Sequence, residues 1–258
     1  MKDFKQTGKK VLLFSGGMDS VIYAEMLNPD IILRIGMNEK YEKVERQKAR
    51  EVIEFMNWKK KYIEINNVFD FKAMELKNLI IPNRNAYLML KASEYGETLW
   101  LSSFIGDGNS DKDIEFFNLM KNLLDHLWHE YHWTEGRIFN VEAPFKKITK
   151  TEALAMFLAK LKNKGLTEEA SFLPILKSYS CYLGTEKHCG ICESCFCKAV
   201  ALINNGYDFY KYGYFEHNPL EAAEKILSLL PDHYRDREGY DTLLAYEKMK
   251  KLSKDNNY

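Results

Sequence analysis

Two stretches of this chain place chemically useful residue types at telling distances. The first is Leu12 to Ser20, LLFSGGMDS, where two glycines and two serines surround Asp19. The second runs from Cys181 to Cys197 and holds all five cysteines of the 258-residue chain.

A Gly-rich turn between an apolar strand and a helix points backbone N–H groups into one small space. The helix N-terminus adds about half a positive charge. Together these make an anion site, most naturally for phosphate. Gly16 and Gly17 permit close approach and unusual dihedrals, and Ser15 and Ser20 offer hydroxyls. The lysine of the G-x-x-x-x-G-K-[ST] loop is missing, and so is the dinucleotide G-x-G-x-x-G. Ser15 precedes the glycine pair, which is not the order of a G-x-S-x-G nucleophile elbow. Asp19 would repel a phosphate unless a divalent cation stands between them, which points to Mg²⁺. The bland alternative is an ordinary strand-to-helix turn.

Cys181, Cys189, Cys192 and Cys195 form C-x₂-C-x₂-C with a fourth cysteine upstream. Four thiolates around one tetrahedral Zn²⁺ make a closed structural site. A helix beginning near Cys192 would carry the last ligands, leaving Cys197 spare. An odd count crowded into one stretch argues against a disulfide framework. An iron–sulfur cluster uses similar spacing, His188 can stand in for one cysteine, and unliganded thiols are the plain alternative.

The elements that must position these groups alternate. Val11–Phe14 reads as a buried parallel strand and Ser20–Leu27 as a helix stopped by Asn28-Pro29. Ile31–Ile35 is a second strand, Lys40–Trp58 an amphipathic helix and Lys61–Ile65 a third strand. A helix over Ala86–Tyr95 and a strand over Leu99–Leu101 follow. Ile114–Trp128 is a long helix, Ile138–Val141 a fifth strand, and Thr149–Lys162 a helix opened by a capping pair, Thr149 and Glu152. Glu221–Leu230 and Thr242–Leu252 are helix-like. This rhythm predicts an α/β fold: a Rossmann-like open parallel sheet with helices on both faces, plus a C-terminal zinc-binding helical extension. Ligands in such sheets sit beyond the carboxyl ends of strands, where the glycine turn falls.

Bulk composition narrows the classes. With 46% hydrophobic residues the chain can bury a sizeable core, and 37 basic against 37 acidic residues exclude a wholly basic nucleic-acid binder. No apolar run approaches about 18 residues, so a membrane span is not expected. The polar start Met1–Gln6 has no signal-peptide core, so the expected compartment is the cytoplasm.

S-G-G-x-D-S after an apolar strand resembles the PP-loop of the ATP pyrophosphatase superfamily. With the cysteine knot, the chain resembles the 7-cyano-7-deazaguanine synthase family, from about Val11 to Leu202. Four blocks carry the likeness: Phe14–Ser20; Ile81-Pro82-Asn83-Arg84-Asn85, like V-P-G-R-N; Glu142–Glu152, like T-P-L-x-x-x-x-K-x-E; and Ser180–Cys195, like T-C-Y-x-G with the zinc cysteines.

The resemblance implies an ATP-dependent carbon–nitrogen ligase. It would adenylate a deazapurine carboxylate and use ammonia to make amide or nitrile. ATP and Mg²⁺ would lie on Phe14, Ser15, Gly16, Gly17, Met18, Asp19 and Ser20, and Zn²⁺ on the four cysteines. Asp19, Arg84 and Lys150 are the catalytic candidates. Arg84, Asn85, Asp107 and Asp111 are the substrate-binding ones. Arg84 offers a planar fork for phosphate or carboxylate, with a surface ion pair as its plain alternative. Asn85 could equally be an N-cap. Lys150 would neutralise developing charge, or be a solvated first-turn lysine.

Two segments depart from the family. Met37-Asn38-Glu39-Lys40-Tyr41 replaces Y-G-x-R-H, and Asp113 stands where an arginine follows Asp111 by two. Both fall where the substrate base would be read.

The expected organisation is residues 1–177 as the ATP-binding domain and 178–258 as the zinc-binding helical region, packed on the first. The resemblance implies a homodimer, and no direct nucleic-acid partner is expected. Rival readings are a related ligase acting on another carboxylate or on tRNA, and a non-enzymatic, zinc-stabilised nucleotide-binding module. His126, His129 and His132 read as an interface or helix face rather than a metal site. Lys146-Lys147 read as a solvated loop, and Tyr207, Tyr210, Tyr212 and Tyr214 as packing of the tail.

Overall fold

A computed structural model describes residues 5–76, 81–107, 111–132, 135–227 and 236–255. Five strands form one parallel sheet: β1 (Lys10–Leu13), β2 (Ile31–Ile35), β3 (Tyr62–Ile65), β4 (Thr98–Trp100) and β5 (Asn140–Glu142). Their spatial order is β3-β2-β1-β4-β5. Every neighbouring pair is parallel, with Val11 opposite Ile31 on one side and Leu99 on the other.

The side-chain period of two divides the strands between two cores. Leu12, Phe14, Ile32 and Trp100 face one core with α1 (Met18–Leu27), α2 (Glu42–Phe55), α5 (Lys150–Asn163), α6 (Glu168–Lys177), α7 (Glu193–Asn204), α8 (Pro219–Leu227) and α9 (Asp236–Asp255). Val11, Leu13, Leu33 and Leu99 face the other, with α3 (Arg84–Ala92) and α4 (Ile114–Leu127). The expected α/β fold with helices on both faces is what forms. The first core runs without a break from Leu12 to Met249.

The chain leaves β1 toward β2 but reaches β4 on the opposite side, so β1 and β4 flank a topological switch point. A crevice opens there at the strands' carboxyl ends. The buried hydroxyl of Tyr23, on α1, fastens this edge: it donates to the Ser103 carbonyl at 2.6 Å and accepts from the Phe145 amide at 3.2 Å. Nothing in its local sequence marks this role.

Element boundaries shift where tertiary contacts decide them. α1 begins at Met18, because Gly17 in extended conformation is its N-cap, and ends where Asn28 turns left-handed at φ 50°. The capping box on α5 forms as read, with Thr149 accepting from the Glu152 amide and Glu152 from the Thr149 amide. α6, capped by Thr167, was not expected, and Pro174 lies inside it. α9 starts at Asp236 rather than Thr242. The last three residues expected in the helix Glu221–Leu230, residues 108–110 of the Asp107–Asp113 segment, and Trp133 lie outside the described residues.

Candidate active site

The loop after β1 is shaped by its own polar atoms. The Gly16 amide donates to Ser20 Oγ at 3.1 Å and the Gly17 amide to Ser15 Oγ at 3.1 Å. Ser20 Oγ in turn donates to the Gly17 carbonyl at 2.9 Å. Ser20 is buried, and its hydroxyl helps to build the turn. Gly16 has φ +87°, and a Cβ there would stand 2.6 Å from that of Ala49 on α2. Glycine is therefore needed for handedness and for room. A second strap closes over the loop: the Tyr179 amide donates to the Gly16 carbonyl at 3.0 Å, and the Met18 amide to Ser180 Oγ at 3.4 Å.

One cleft collects most of the expected residues. Its wall includes Phe14, Ser15, Gly17, Met18 and Asp19 from the loop, with Arg84 and Asn85 from α3 and Lys150 from α5. Asp107 and Asp111 do not line it. Asp107 lies behind Lys150, its Oδ1 3.3 Å from the ammonium, while Asp19 Oδ2 is 3.0 Å away on the other side. Burial opposes the Lys150 charge, but Asp107 and Asp19 outweigh it and hold the ammonium well above the usual lysine range. Burial likewise opposes the Asp107 charge, and Lys150, Lys112 and the Phe104 amide overcome it, holding that carboxyl below the usual range. Lys150 is thus no solvated surface lysine.

Asn85 is no N-cap either. Asn83 takes that place at φ 60°, and Asn85, buried in the first turn, donates to Asp111 Oδ2 at 2.9 Å. The pair anchors α3 to the segment after β4. Lys146, read as part of a solvated loop, turns inward to Ser103 Oγ at 2.9 Å and the Asp107 carbonyl at 2.6 Å.

Several cleft residues escaped the sequence reading. Arg34 on β2, almost fully buried, donates to Glu42 Oε1 at 3.0 Å and Glu45 Oε2 at 3.3 Å. Glu39 lies 3.6 Å from Arg84. Burial lifts Glu39 above the usual carboxylate range against the pull of Arg84, and burial together with Glu39 pushes Glu45 up to about 8. Lys198 on α7 is also buried and donates to the Ser178 carbonyl at 2.7 Å. The available signal was position: an acid just past the carboxyl end of β2 falls on the edge of the sheet where the cleft opens. The Lys198 and Arg34 burials had no local signature.

The four expected zinc ligands meet. The sulfurs of Cys181, Cys189, Cys192 and Cys195 all lie within 4.8 Å of one another. Cys189 and Cys195 are 3.8 Å apart, the spacing of about 3.8 Å that two ligands 2.3 Å from a tetrahedral zinc must adopt. The residues fit that ion. Cys192 caps α7, so the last ligand rides on its first turn. Cys197 is left out and lines the cleft instead. His188 is not part of that group: its Nε2 accepts from the Ser180 amide at 3.4 Å and lies 3.3 Å from Lys198 Nζ. Among the described residues, His126, His129 and His132 form no metal-binding group. The tail tyrosines pack: Tyr207 stacks on Tyr212, and Tyr214 stacks on His188 while donating to the Leu176 carbonyl.

A parallel sheet with a phosphate-shaped loop at its switch point and a four-cysteine knot beside it defines a PP-loop-type α/β protein. The family model described as queuosine biosynthesis protein QueC matches residues 9–206, and the chain belongs to that family. A relative from Thermoplasma acidophilum named 7-cyano-7-deazaguanine synthase is 25% identical, over 84% of this chain and 98% of its own. One of the same name from Methanosphaerula palustris is 27% identical, over 77% of this chain and 96% of its own. No solved structure matches significantly. No helix among the described residues is long and apolar enough to cross a membrane.

Proposed function

We propose that this protein is an ATP-dependent carbon–nitrogen ligase acting on a 7-carboxy-7-deazaguanine-type carboxylate, with ammonia as nitrogen donor. The observation that carries the reading is the convergence of the Ser15–Asp19 loop, Lys150 and Arg84 on one cleft. Relatives named 7-cyano-7-deazaguanine synthase supply the substrate class.

The triphosphate lies over the head of α1, where helix-terminal amides favour anions. Lys150 also opens a helix, a position where a cation is disfavoured by the helix dipole. Asp19 and Asp107 hold it there, aimed at the same place. A substrate carboxylate oxygen attacks the α-phosphorus and pyrophosphate leaves. Ammonia adds to the acyl carbon and AMP departs with its oxygen, giving the amide. The amide oxygen then attacks the α-phosphorus of a second ATP, and pyrophosphate leaves again. Loss of AMP and of the nitrogen's protons leaves the nitrile. Lys150 and Arg84 neutralise charge gathering on the phosphates, and positioning supplies much of the rest. A bound Mg²⁺ would supply charge neutralisation on the phosphates. Asp19, which lines the cleft, is the carboxylate that would hold it. Cys181, Cys189, Cys192 and Cys195 would hold a structural zinc, and Cys181 would thereby tie the adjoining Tyr179–Ser180 strap against the loop.

The same reading makes this a cytoplasmic homodimer, with residues 1–177 as the nucleotide-binding part and 178–258 as the zinc-bearing part. Incubation with ATP, ammonium and 7-carboxy-7-deazaguanine is expected to release AMP and pyrophosphate. Saturable ATP binding with no AMP from any carboxylate would overturn the assignment in favour of a binding module.

A further inference from the structure

The wall of the cleft contains a carboxylate without a hydrogen-bonding partner. The Glu39 side chain is 1% exposed. Among the described residues, no donor stands in good hydrogen-bonding geometry to Oε1 or Oε2; the Tyr41 hydroxyl is close enough only to favour the charged carboxylate slightly. Its nearest cation, Arg84 Nη1 at 3.6 Å, stands beyond hydrogen-bond reach and is itself 30% exposed. A buried polar group without a partner is costly, and a charged one more so. Natural structures keep few such groups, and each calls for an explanation such as a water, an ion or a functional partner.

The charges around Glu39 sharpen the point. Arg34 spends its two terminal nitrogens on Glu42 and Glu45 and gives nothing to Glu39. Glu39, Glu42 and Glu45 therefore share two guanidinium groups, Arg34 and Arg84. This end of the cleft favours a ligand edge made of hydrogen-bond donors.

Both oxygens of one carboxylate are unused, so the matching edge offers two adjacent N–H donors. Adenine does not: its N6 amino group donates, but the neighbouring N1 accepts and would face an oxygen lone pair. A guanine-type edge does, with N1–H and the 2-amino group side by side. We propose that Glu39 is the residue that reads the substrate base, through paired hydrogen bonds to a guanine-type edge. This rests on the proposed ligase reading and names its specificity determinant. Tyr41, buried beside Glu39, and the half-exposed Tyr182 line the same end of the cleft and offer ring faces for the base.

The test uses the full-length, zinc-loaded protein, titrated calorimetrically with three bases: 7-carboxy-7-deazaguanine, its analogue lacking the 2-amino group, and its 2-oxo analogue. Wild type is expected to bind the first about 30-fold more tightly than the second, the worth of one charge-assisted hydrogen bond. Glu39→Gln keeps shape but turns one acceptor into a donor. It should weaken binding of the 2-amino base about 100-fold, prefer the 2-oxo analogue, and leave ATP affinity unchanged. A folded Glu39→Gln protein that binds the 2-amino base like wild type overturns the assignment. If that variant does not fold, equal affinity of wild type for the first two bases overturns it instead. Wild type that turns over the deazaguanine carboxylate while either result holds leaves the ligase reading standing. Wild type that binds none of the bases, yet releases AMP with another carboxylate, removes both.

Discussion

Lys150 reaches from the first turn of α5 to within 3.0 Å of the Asp19 carboxylate in the first turn of α1. Two helix N-termini and one ammonium thus converge, with Asp107 at 3.3 Å as the third charged group. Lys150→Met should lower kcat about 100-fold or more, the scale of losing a preorganised charge at the transition state. Pyrophosphate release measures this, and nucleotide affinity should fall less. The sign of the pH dependence follows from the shifts. Asp107, depressed, contributes above its ordinary pKa near about 4, and Lys150, raised, contributes below about 10.5. The cluster is therefore intact across neutral pH, and its loss shows only toward the acid and alkaline extremes. A sharp change in its contribution between about pH 6 and 8 would count against this arrangement.

Glu45 makes an opposite prediction. Burial and the neighbouring Glu39 push it up to about 8, although Arg34 pulls the other way. The folded state then binds a proton that the unfolded chain releases near about 4.3. Stability should fall as pH rises from there through about 8. Thermal melts of wild type and Glu45→Gln across that window test it, and the slope should flatten in the variant. Each kcal/mol moves Tm by about 2–4 °C in a domain of this size.

Removing the metal should loosen the strap over the phosphate loop, because Cys181 lies one residue beyond Ser180 and two beyond Tyr179. Cys195→Ser is expected to lose bound zinc and lower Tm, while Cys197→Ser keeps full zinc content. Metal analysis of the purified variants decides between four and five ligands. Zinc lost from Cys197→Ser would contradict the assignment.

Gly16→Ala should fail twice. Its φ of +87° disfavours any Cβ, and that Cβ would meet Ala49 at 2.6 Å. A cost of about 2–4 kcal/mol combines backbone strain with overpacking. Denaturant melts report the stability loss, and calorimetry should show ATP binding lost with it.

The tail belongs to the core. Ala245 and Met249 on α9 are fully buried against the rest of the first core. Met249→Ala should cost about 2–5 kcal/mol, whereas Tyr240→Ala, at an exposed site on the same helix, should cost under about 0.5 kcal/mol. Chemical denaturation separates the two.

Local pattern was enough for much of this protein. Strands such as β1, buried over Val11–Leu13, show as unbroken apolar runs, and the α5 capping box shows as Thr149 and Glu152 three apart. S-G-G-x-D-S and C-x₂-C-x₂-C are short enough for covalent spacing to dictate their geometry. Hence the phosphate loop and the knot were legible, and the family with them. The sheet order and the roles of distant groups were not, because they depend on contacts far apart in sequence. Asn85 looked like a cap until Asp111 claimed it, and Lys146 looked solvated until three acceptors near β4 did. Arg34, Glu39 and Lys198 carry charge that local pattern assigns to the surface. Only folding the sheet around its switch point puts them inside, where a low dielectric makes each charge depend on its partner. The sequence determined which chemistry was available, and the tertiary structure decided which charges were buried beside it.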